Sequence, residues 1–232
     1  MKQHTLNSTD EFHKYLEKFR KTTVFKFRGQ SDKYWKLVPK AGRESFNKVS
    51  DTELFRHWKR RAVSHLDKGL YTEWDLLAIA QHNGLPTRLL DWTHNPLVAM
   101  FFATCDNYDR DGAFYSYKSD ILLTTVTKGP FEIEEKLAMY QPSTSSNRIA
   151  NQYGYFTVHK NPKSSVSDKE GYLEKMIVPS SLKKEIVHML NQYGINFLTL
   201  FPDLDGLAKH LCWYTENYNN WSSFDTKLFD RF

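Results

Sequence analysis

Apolar residues recur at helical spacing in several segments of the chain, and the first two of these segments begin at a capping signal. Ser8 to Glu11 and Ser50 to Glu53 both have the spacing of a capping box, in which two side chains satisfy backbone groups of the first helical turn. The patterns predict a short helix near the start of the chain and a second helix that reaches about Leu66. The apolar faces are Phe12, Tyr15, Leu16 and Phe19 in the first segment, and Leu54, Trp58, Ala62 and Leu66 in the second.

Glycine, proline and asparagine mark the ends of further predicted helices. These helices are residues 74–82, ended by Gly84; residues 96–103, capped by Asn95 and with Pro96 in the first turn; residues 182–193, ended by Gly194; and a last helix from Leu207. Residues 97–103 are almost all apolar, which predicts a buried helix.

Strands are predicted where short apolar or alternating runs lie between turn residues. The candidates are residues 24–27 with Arg28 at the strand end, 113–117, 121–126, 155–159, 173–178 and 197–201, whereas 142–147 and 163–169 are predicted polar segments. Because no repeat or linker divides the chain, we expect one α+β domain over residues 1–232, with helices flanking a mixed, mostly antiparallel sheet. Residues 1–22 would hold the N-terminal helix, and residues 213–232 would form an aromatic tail.

Composition adds modest constraints. Lys and Arg number 32 against 27 Asp and Glu, and the sequence pI is near 9.0, which favours anionic partners such as nucleic acid. Cys105 and Cys212 lack the spacing of a zinc site or redox pair, so we expect no metal and a reducing compartment. No apolar run approaches the ~20 residues that span a bilayer, so a soluble cytoplasmic protein is expected. A basic cluster on the second helix is typical of a solvated face: Arg56, Lys59, Arg60 and Arg61.

Two segments carry most of the chemically versatile side chains. The first places Gly29 and Gln30 directly after Arg28, where glycine would allow a close backbone approach. The second is residues 81–96, which include Gln81, His82, Thr87, Arg88, Asp91, Trp92 and Asn95. So many donors and acids before one helix are costly to bury without a ligand, which favours a binding site.

These segments closely resemble the motifs of the bacterial FRG domain family. The matching motifs are Phe27 to Gln30, Gln81 to Trp92, Asn95 to Ala99, Arg148 to His159 and Leu200 to Gly206, so the resemblance covers most of the chain between about Val24 and Leu211. Their order is more loosely similar to that of the ADP-ribosyltransferase superfamily, in which a strand-borne arginine, a Ser/Thr-bearing strand and a later acidic residue surround NAD. The resemblance implies an ADP-ribosyltransferase-like fold.

The resemblance also implies roles for single residues. Arg28 would bind phosphate or ribose oxygens of NAD through its planar set of donors, and Thr87 would bind the nicotinamide ribose or order the third motif. Asp203 and Asp205 are the candidate acids at the ribosyl centre, and Gln152 is a candidate amide for orienting a hydroxyl. The NAD-binding set adds Gly29, Gln30, Gln81, His82, Arg88, Asp91, Trp92, Asn95, Phe156 and His159.

Each assignment has a structural alternative. Arg28 could pair with Asp91, Asp203 or Asp205, and Arg88 could pair with Asp91. Asn95 could be an ordinary helix cap, and Asp203 with Asp205 could make a turn before the last helix. His82 and His159 could be proton carriers near pH 7 or structural groups, and Gln152 could be a satisfied buried amide. Trp92 and Phe156 could be stacking platforms or core residues.

The preferred functional interpretation is an NAD-dependent ADP-ribosyltransferase that acts as an intracellular toxin or antiphage defence effector, with RNA or DNA more than protein as acceptor. A toxin implies an antitoxin or chaperone protein as partner, for which the aromatic tail is the candidate contact. The alternative is a module that binds or processes nucleic acid without NAD chemistry, in which Arg28, Arg88, Gln81 and His82 hold phosphates and bases. A scaffold for protein interactions is the third interpretation.

Overall fold

A computed structural model describes residues 1–46, 48–66, 69–123, 128–142, 151–169 and 171–218. They form one α+β domain in which helices flank an eight-stranded mixed sheet. The strands are β1 (Lys2–Thr5), β2 (Lys26–Gln30), β3 (Leu89–Thr93), β4 (Gly112–Ser119), β5 (Leu122–Leu123), β6 (Leu137–Tyr140), β7 (Gly154–His159) and β8 (Gly171–Val178). The helices are α1 (Thr9–Glu17), α2 (Asp51–Ala62), α3 (Glu73–His82), α4 (Pro96–Thr104), α5 (Ser180–Gln192), α6 (Phe197–Leu200) and α7 (Leu204–Asn217).

The strand order in the sheet is β1-β8-β4-β2-β3-β7-β6-β5. The two outermost pairs, β1 with β8 and β5 with β6, are parallel, and the five pairs between them are antiparallel. This confirms the predicted mixed, mostly antiparallel sheet. Three strands, β1, β3 and β6, were not predicted. Among the described residues, none of the helices has both the length and the apolar character needed to cross a membrane.

Local capping signals set most helix boundaries. Ser8 Oγ accepts from the Glu11 N–H at 3.2 Å, and Ser50 Oγ accepts from the Glu53 N–H at 3.1 Å. The α2 helix ends at Ala62, however, and a short 3-10 turn over Val63–His65 replaces the predicted last turn. Helices α3, α4 and α5 lie where their caps and glycines predict them.

The segment after α5 differs from its prediction. Residues 197–201 were predicted as a strand, but Asn196 and Thr199 cap each other reciprocally and start helix α6. Helix α7 begins at Leu204 rather than Leu207, because Asp203 Oδ1 accepts from the Gly206 N–H at 2.8 Å. The segments predicted as 142–147 and as the tail 213–232 fall largely outside the described residues, and so do residues 124–126 of a predicted strand.

Helix α4 packs directly on β2, and Gly29 makes this contact possible. A Cβ on Gly29 would lie 1.8 Å from the carbonyl oxygen of Ala99 and 2.5 Å from the nitrogen of Ala103. The two backbones therefore touch, so a residue with a Cβ does not fit without a shift of strand or helix. Strand β2 runs from Lys26 to Gln30, which places Arg28 in the middle of the strand rather than at its predicted end.

Strands β2 and β3 separate after one paired position. Phe27 pairs with Thr93, whereas β2 pairs with β4, and β3 with β7, over five positions each. The sheet is therefore fully paired on the outer side of both strands and open between them. Arg28 and Asp91 lie beside this opening.

Candidate functional site

A cleft of about 280 Å³ lies where β2 and β3 separate. Predicted site residues that line it are Arg28, Gly29, Gln81, His82, Asp91, Trp92 and Gln152. The two segments that the sequence singles out therefore converge on one cavity. Residues that the sequence did not indicate complete its walls: Phe27, Thr93, Ala99, Phe102 and Phe201.

Arg28 extends its guanidinium into the opening between the strands. Nη1 donates to the backbone carbonyl of Asp91 at 2.6 Å and lies 3.7 Å from Oδ2 of the same residue. Burial lowers the pKa of Arg28, while the Asp91 carboxylate acts in the opposite direction, and a guanidinium stays cationic in proteins. The side chain is 14% exposed, and its Nε has no hydrogen-bond partner among the described residues. Arg28 is thus a largely buried cation with donor capacity to spare.

Gln30 lies two residues further along the same face of β2, but it is not among the cleft-lining residues, so the expected direct contact with NAD does not fit its position. It is 2% exposed, and neither Oε1 nor Nε2 has a hydrogen-bond partner within the described part of the chain. Buried polar side-chain atoms in proteins are nearly always hydrogen-bonded. Gln30 and the Nε of Arg28 therefore form a concentration of unsatisfied polar atoms on one short strand.

Thr87 acts on the cleft indirectly, through Gln81. The Thr87 hydroxyl accepts the Leu89 N–H at 3.1 Å, so its own proton is donated to Oε1 of Gln81 at 2.6 Å. This orients the amide so that Nε2 of Gln81 donates to the two carboxylate oxygens of Asp91 at 3.1 and 3.3 Å. Thr87 itself is buried and is not among the cleft-lining residues, so its position fits the orientation of Asp91 better than a direct contact with a ribose.

Asp91 supplies the carboxylate of the cleft. It is the acidic member of the lining residues, and its side chain is 51% exposed. Gln81 holds the carboxylate from one side, and Arg28 binds the carbonyl of the same residue. The arrangement keeps a charged, accessible oxygen pair beside a cation.

A second wall comes from residues far along the chain. The amide nitrogen of Gln152 donates to the carbonyl of Leu200 at 3.0 Å, and the Thr93 hydroxyl donates to the backbone carbonyl of Gln152 at 2.6 Å. These bonds tie the end of β3 to helix α6. They also fix the position of Phe201, which lines the cleft next to them.

Arg88 does not pair with Asp91 as predicted. Its Nε donates to Oδ2 of Asp51 at 2.7 Å, its Nη2 donates to Oδ1 at 2.9 Å, and both side chains are buried. The guanidinium also lies over the ring of Phe131 at 4.5 Å. Residues three apart in an extended segment point to opposite faces, so Arg88 and Asp91 cannot share a partner surface. Arg88 is a structural cation that ties β3 to helix α2.

The predicted acids and the predicted helix cap also lie outside the cleft lining. Asp203 caps α7, which is the turn alternative, and Asp205 is exposed in the first turn of that helix. Asn95 caps α4, its Oδ1 accepting from the Leu97 N–H at 2.9 Å. Asn95 lines a neighbouring groove of about 510 Å³ that shares Phe27 with the cleft.

A chain of hydrogen bonds places His159 in the core. Trp92 Nε1 donates to the Thr157 hydroxyl at 3.0 Å, which leaves the Thr157 proton for Nε2 of His159 at 3.2 Å. The Nδ1–H of His159 then donates to the Ser164 carbonyl at 2.9 Å. Burial lowers the pKa of His159 to about 4, so it is neutral at pH 7 and does not fit the predicted role of proton carrier. Phe156 is buried as well, although its ring contacts that of His82.

Part of the cleft lining could have been found from the sequence. Ala99 and Phe102 are three residues apart on the helix that follows the rich segment, and Phe27 belongs to the motif that contains Arg28. Phe201 belongs to the motif at 200–206, but its segment was predicted as a strand, so its place in the lining was not predicted.

Comparison with known families bears on this geometry. Residues 23–112 match the FRG domain family. The matched range contains Arg28, the Gly29 contact with α4, and the hydrogen bonds that orient Asp91. Gln152 and Phe201, which complete the cleft, lie beyond the matched range, as do the motifs noted at 148–159 and 200–206.

A search of curated proteins and a search of solved structures each gave no match. The expected relation of this chain to ADP-ribosyltransferases therefore stays a prediction.

Proposed function

We propose that the chain is an NAD-dependent ADP-ribosyltransferase that modifies nucleic acid and acts as an intracellular toxin or antiphage defence effector. The observation that carries the proposal is the largely buried guanidinium of Arg28, which lines the same cleft as the accessible carboxylate of Asp91. A buried cation gains from a ligand that supplies acceptor oxygens, because a buried polar group is costly to leave unpaired.

The cation favours an anionic or polyhydroxylated ligand. A guanidinium presents several donors in one plane, which suits phosphate and ribose oxygens better than a lysine would. Because Arg28 sits behind the lip of the cleft and is 14% exposed, an ion or hydroxyl that binds it must enter the opening between β2 and β3. The dinucleotide NAD offers both kinds of oxygen.

The size of the cleft limits how NAD would bind. A volume of about 280 Å³ lies near the lower end of the ~300–1,000 Å³ typical of small-molecule sites. It suits one nucleoside-sized half of a dinucleotide, with the other half outside. The aromatic walls Phe27, Phe102 and Phe201 suit a planar ring, which favours the nicotinamide riboside half.

Asp91 takes the role that was expected of Asp203 or Asp205. ADP-ribosyl transfer breaks the bond between nicotinamide and the ribose carbon, and the electron pair leaves with nicotinamide. A nucleophile of the acceptor forms its bond to the same carbon, and the proton that it releases passes to a base or to water. A carboxylate held by Gln81 can stabilise the positive charge that develops at the ribosyl centre and can accept that proton.

The test uses purified protein with NAD labelled in its adenylate half, mixed separately with RNA, with DNA and with lysate protein. We expect label in RNA or DNA, and a loss of about 10²-fold or more in rate for Arg28→Lys and for Asp91→Asn. Arg56→Ala, a matched change of an exposed cation on α2, should transfer at the normal rate. Absence of labelled product from all three pools would contradict the proposal.

A further inference from the structure

A loop with two aromatic residues between two lysines lies outside the cleft. It consists of residues 33–36, with the sequence Lys-Tyr-Trp-Lys, and begins three residues after the end of β2. Tyr34 is 79% exposed and Trp35 is 48% exposed. Adjacent large aromatic residues at the surface mark a binding site more often than scattered apolar residues do.

The loop holds these aromatic side chains on a rigid backbone. Tyr34 N–H donates to Oδ1 of Asp32 at 2.9 Å, and Trp35 N–H donates to the carbonyl of Asp32 at 3.2 Å. Further bonds anchor both flanks of the loop: Lys183 Nζ to Ser31 O, Lys33 N to Asp111 O, Lys175 Nζ to Lys33 O, and Val166 N to Leu37 O. These hydrogen bonds hold the loop backbone in one conformation, so the backbone at Trp35 loses little conformational freedom when a ligand binds.

Trp35 forms one side of a groove of about 470 Å³. Three exposed cations line this groove, Lys36, Arg43 and Lys163, against one carboxylate, Glu44. At Gly42, a Cβ would lie 1.9 Å from the Pro162 carbonyl oxygen, so the two loops that carry the cations are in backbone contact. The groove thus combines an aromatic side chain and a net positive charge, carried by two loops whose backbones are in contact.

The segment that lines the groove is joined to the segment that forms the cleft, because the Ala41 N–H donates to the carbonyl of Thr87 at 3.2 Å, next to Gly42 and Arg43 of the groove. A polymer lying along the groove would therefore pass close to the cleft.

We infer that this groove binds single-stranded nucleic acid, with a base stacked on Trp35 and phosphates on Lys36, Arg43 and Lys163. Single strands are bound by combining aromatic platforms with cations along the backbone, and stacking requires an unpaired base. Only the role of the bound strand as acceptor rests on the proposed transferase function. The binding itself is tested without NAD.

The test is fluorescence anisotropy with labelled oligouridine and oligothymidine of about 12 nucleotides, and with a duplex of the same length. The wild-type protein should bind one or both single strands more tightly than the duplex. Trp35→Leu should weaken binding about tenfold, whereas Trp35→Phe, which keeps an aromatic ring, should stay close to wild type. The triple variant Lys36→Ala, Arg43→Ala and Lys163→Ala should reduce the slope of log affinity against log salt by about 2.

The matched control removes three exposed cations elsewhere, by Arg56→Ala, Arg60→Ala and Arg61→Ala on helix α2. This variant should retain the affinity of the wild type. Equal weakening by both triple variants, normal binding by Trp35→Leu, or no binding of either single strand at low salt would each overturn the inference. Binding of single strands without any labelled transfer would support the groove as a strand-binding site and contradict the transferase proposal. Transfer to nucleic acid that is unaffected in the groove variants would support the transferase proposal and contradict the groove as the strand-binding site.

Discussion

The replacement Gln30→Met tests whether the buried amide of Gln30 lacks hydrogen-bond partners in the folded protein. Methionine has a similar length and volume and adapts to irregular apolar space. Gln30 is 2% exposed and both of its amide groups lack partners among the described residues. Removing such buried groups removes a desolvation penalty of about 1–3 kcal/mol. We therefore expect Gln30→Met to raise the free energy of unfolding, whereas most substitutions lower it by about 1 kcal/mol.

The assay is urea unfolding followed by tryptophan fluorescence, with and without NAD. The variant should be more stable than wild type without NAD, and both proteins should gain similar stability when NAD is added, because Gln30 lies outside the cleft lining and ligand binding to the folded state adds stability by mass action. Gln192→Met, an exposed change on helix α5, is the control and should alter neither quantity. A loss of more than about 1 kcal/mol in the Gln30 variant would overturn this expectation, because it would show that the amide is satisfied in the folded protein.

Three further predictions follow from the hydrogen-bond pattern. Arg88→Met should lower the free energy of unfolding by about 3–5 kcal/mol in a denaturant titration, because it leaves Asp51 as an unpaired buried charge. A loss below about 1 kcal/mol would contradict a structural role for the Arg88–Asp51 pair. Thr87→Val should reduce transfer activity at least tenfold while Thr87→Ser, which keeps the hydroxyl, restores it; equal rates for the two variants would show that this hydroxyl orients nothing. Burial lowers the pKa of His159 to about 4, so the unfolded chain takes up a proton at higher pH than the folded protein does. Stability should therefore be complete above pH 6.5 and fall by about 3 kcal/mol towards pH 4. His159→Gln should flatten this pH dependence when unfolding is measured at several pH values, whereas His57→Gln, a change of an exposed histidine, should not. Identical pH profiles for the two variants would show that His159 does not cause the loss of stability at low pH.

The elements that the sequence predicts well are those fixed by neighbouring residues. A capping serine, a glycine with positive φ or a proline in the first turn acts within one helical turn, so α1, α3 and α5 could be located from a few positions each. The short segment at 197–201 has apolar residues that suit a strand equally well. Its helical state depends on the reciprocal bonds of Asn196 and Thr199, which composition does not reveal.

The site was predicted in outline because its main residues lie close together in the chain. Gln81, Thr87 and Asp91 fall within one short segment, and Arg28 stands beside a conspicuous glycine. What each residue does could not be predicted, because it depends on distant partners. Arg88 is separated from Asp51 by 37 positions, and a pairing over that distance leaves no local pattern. The separation of β2 from β3, which creates the cleft, is also a property of the whole sheet.

The most direct measurement is a crystal structure of the protein soaked with a non-cleavable analogue of NAD. We predict that the nicotinamide riboside half lies between β2 and β3, with a ligand oxygen at about 2.7–3.2 Å from the guanidinium of Arg28 and the ribose carbon facing Asp91. Density for the analogue only in the neighbouring groove beside Asn95, or no bound analogue at saturating concentration, would contradict it.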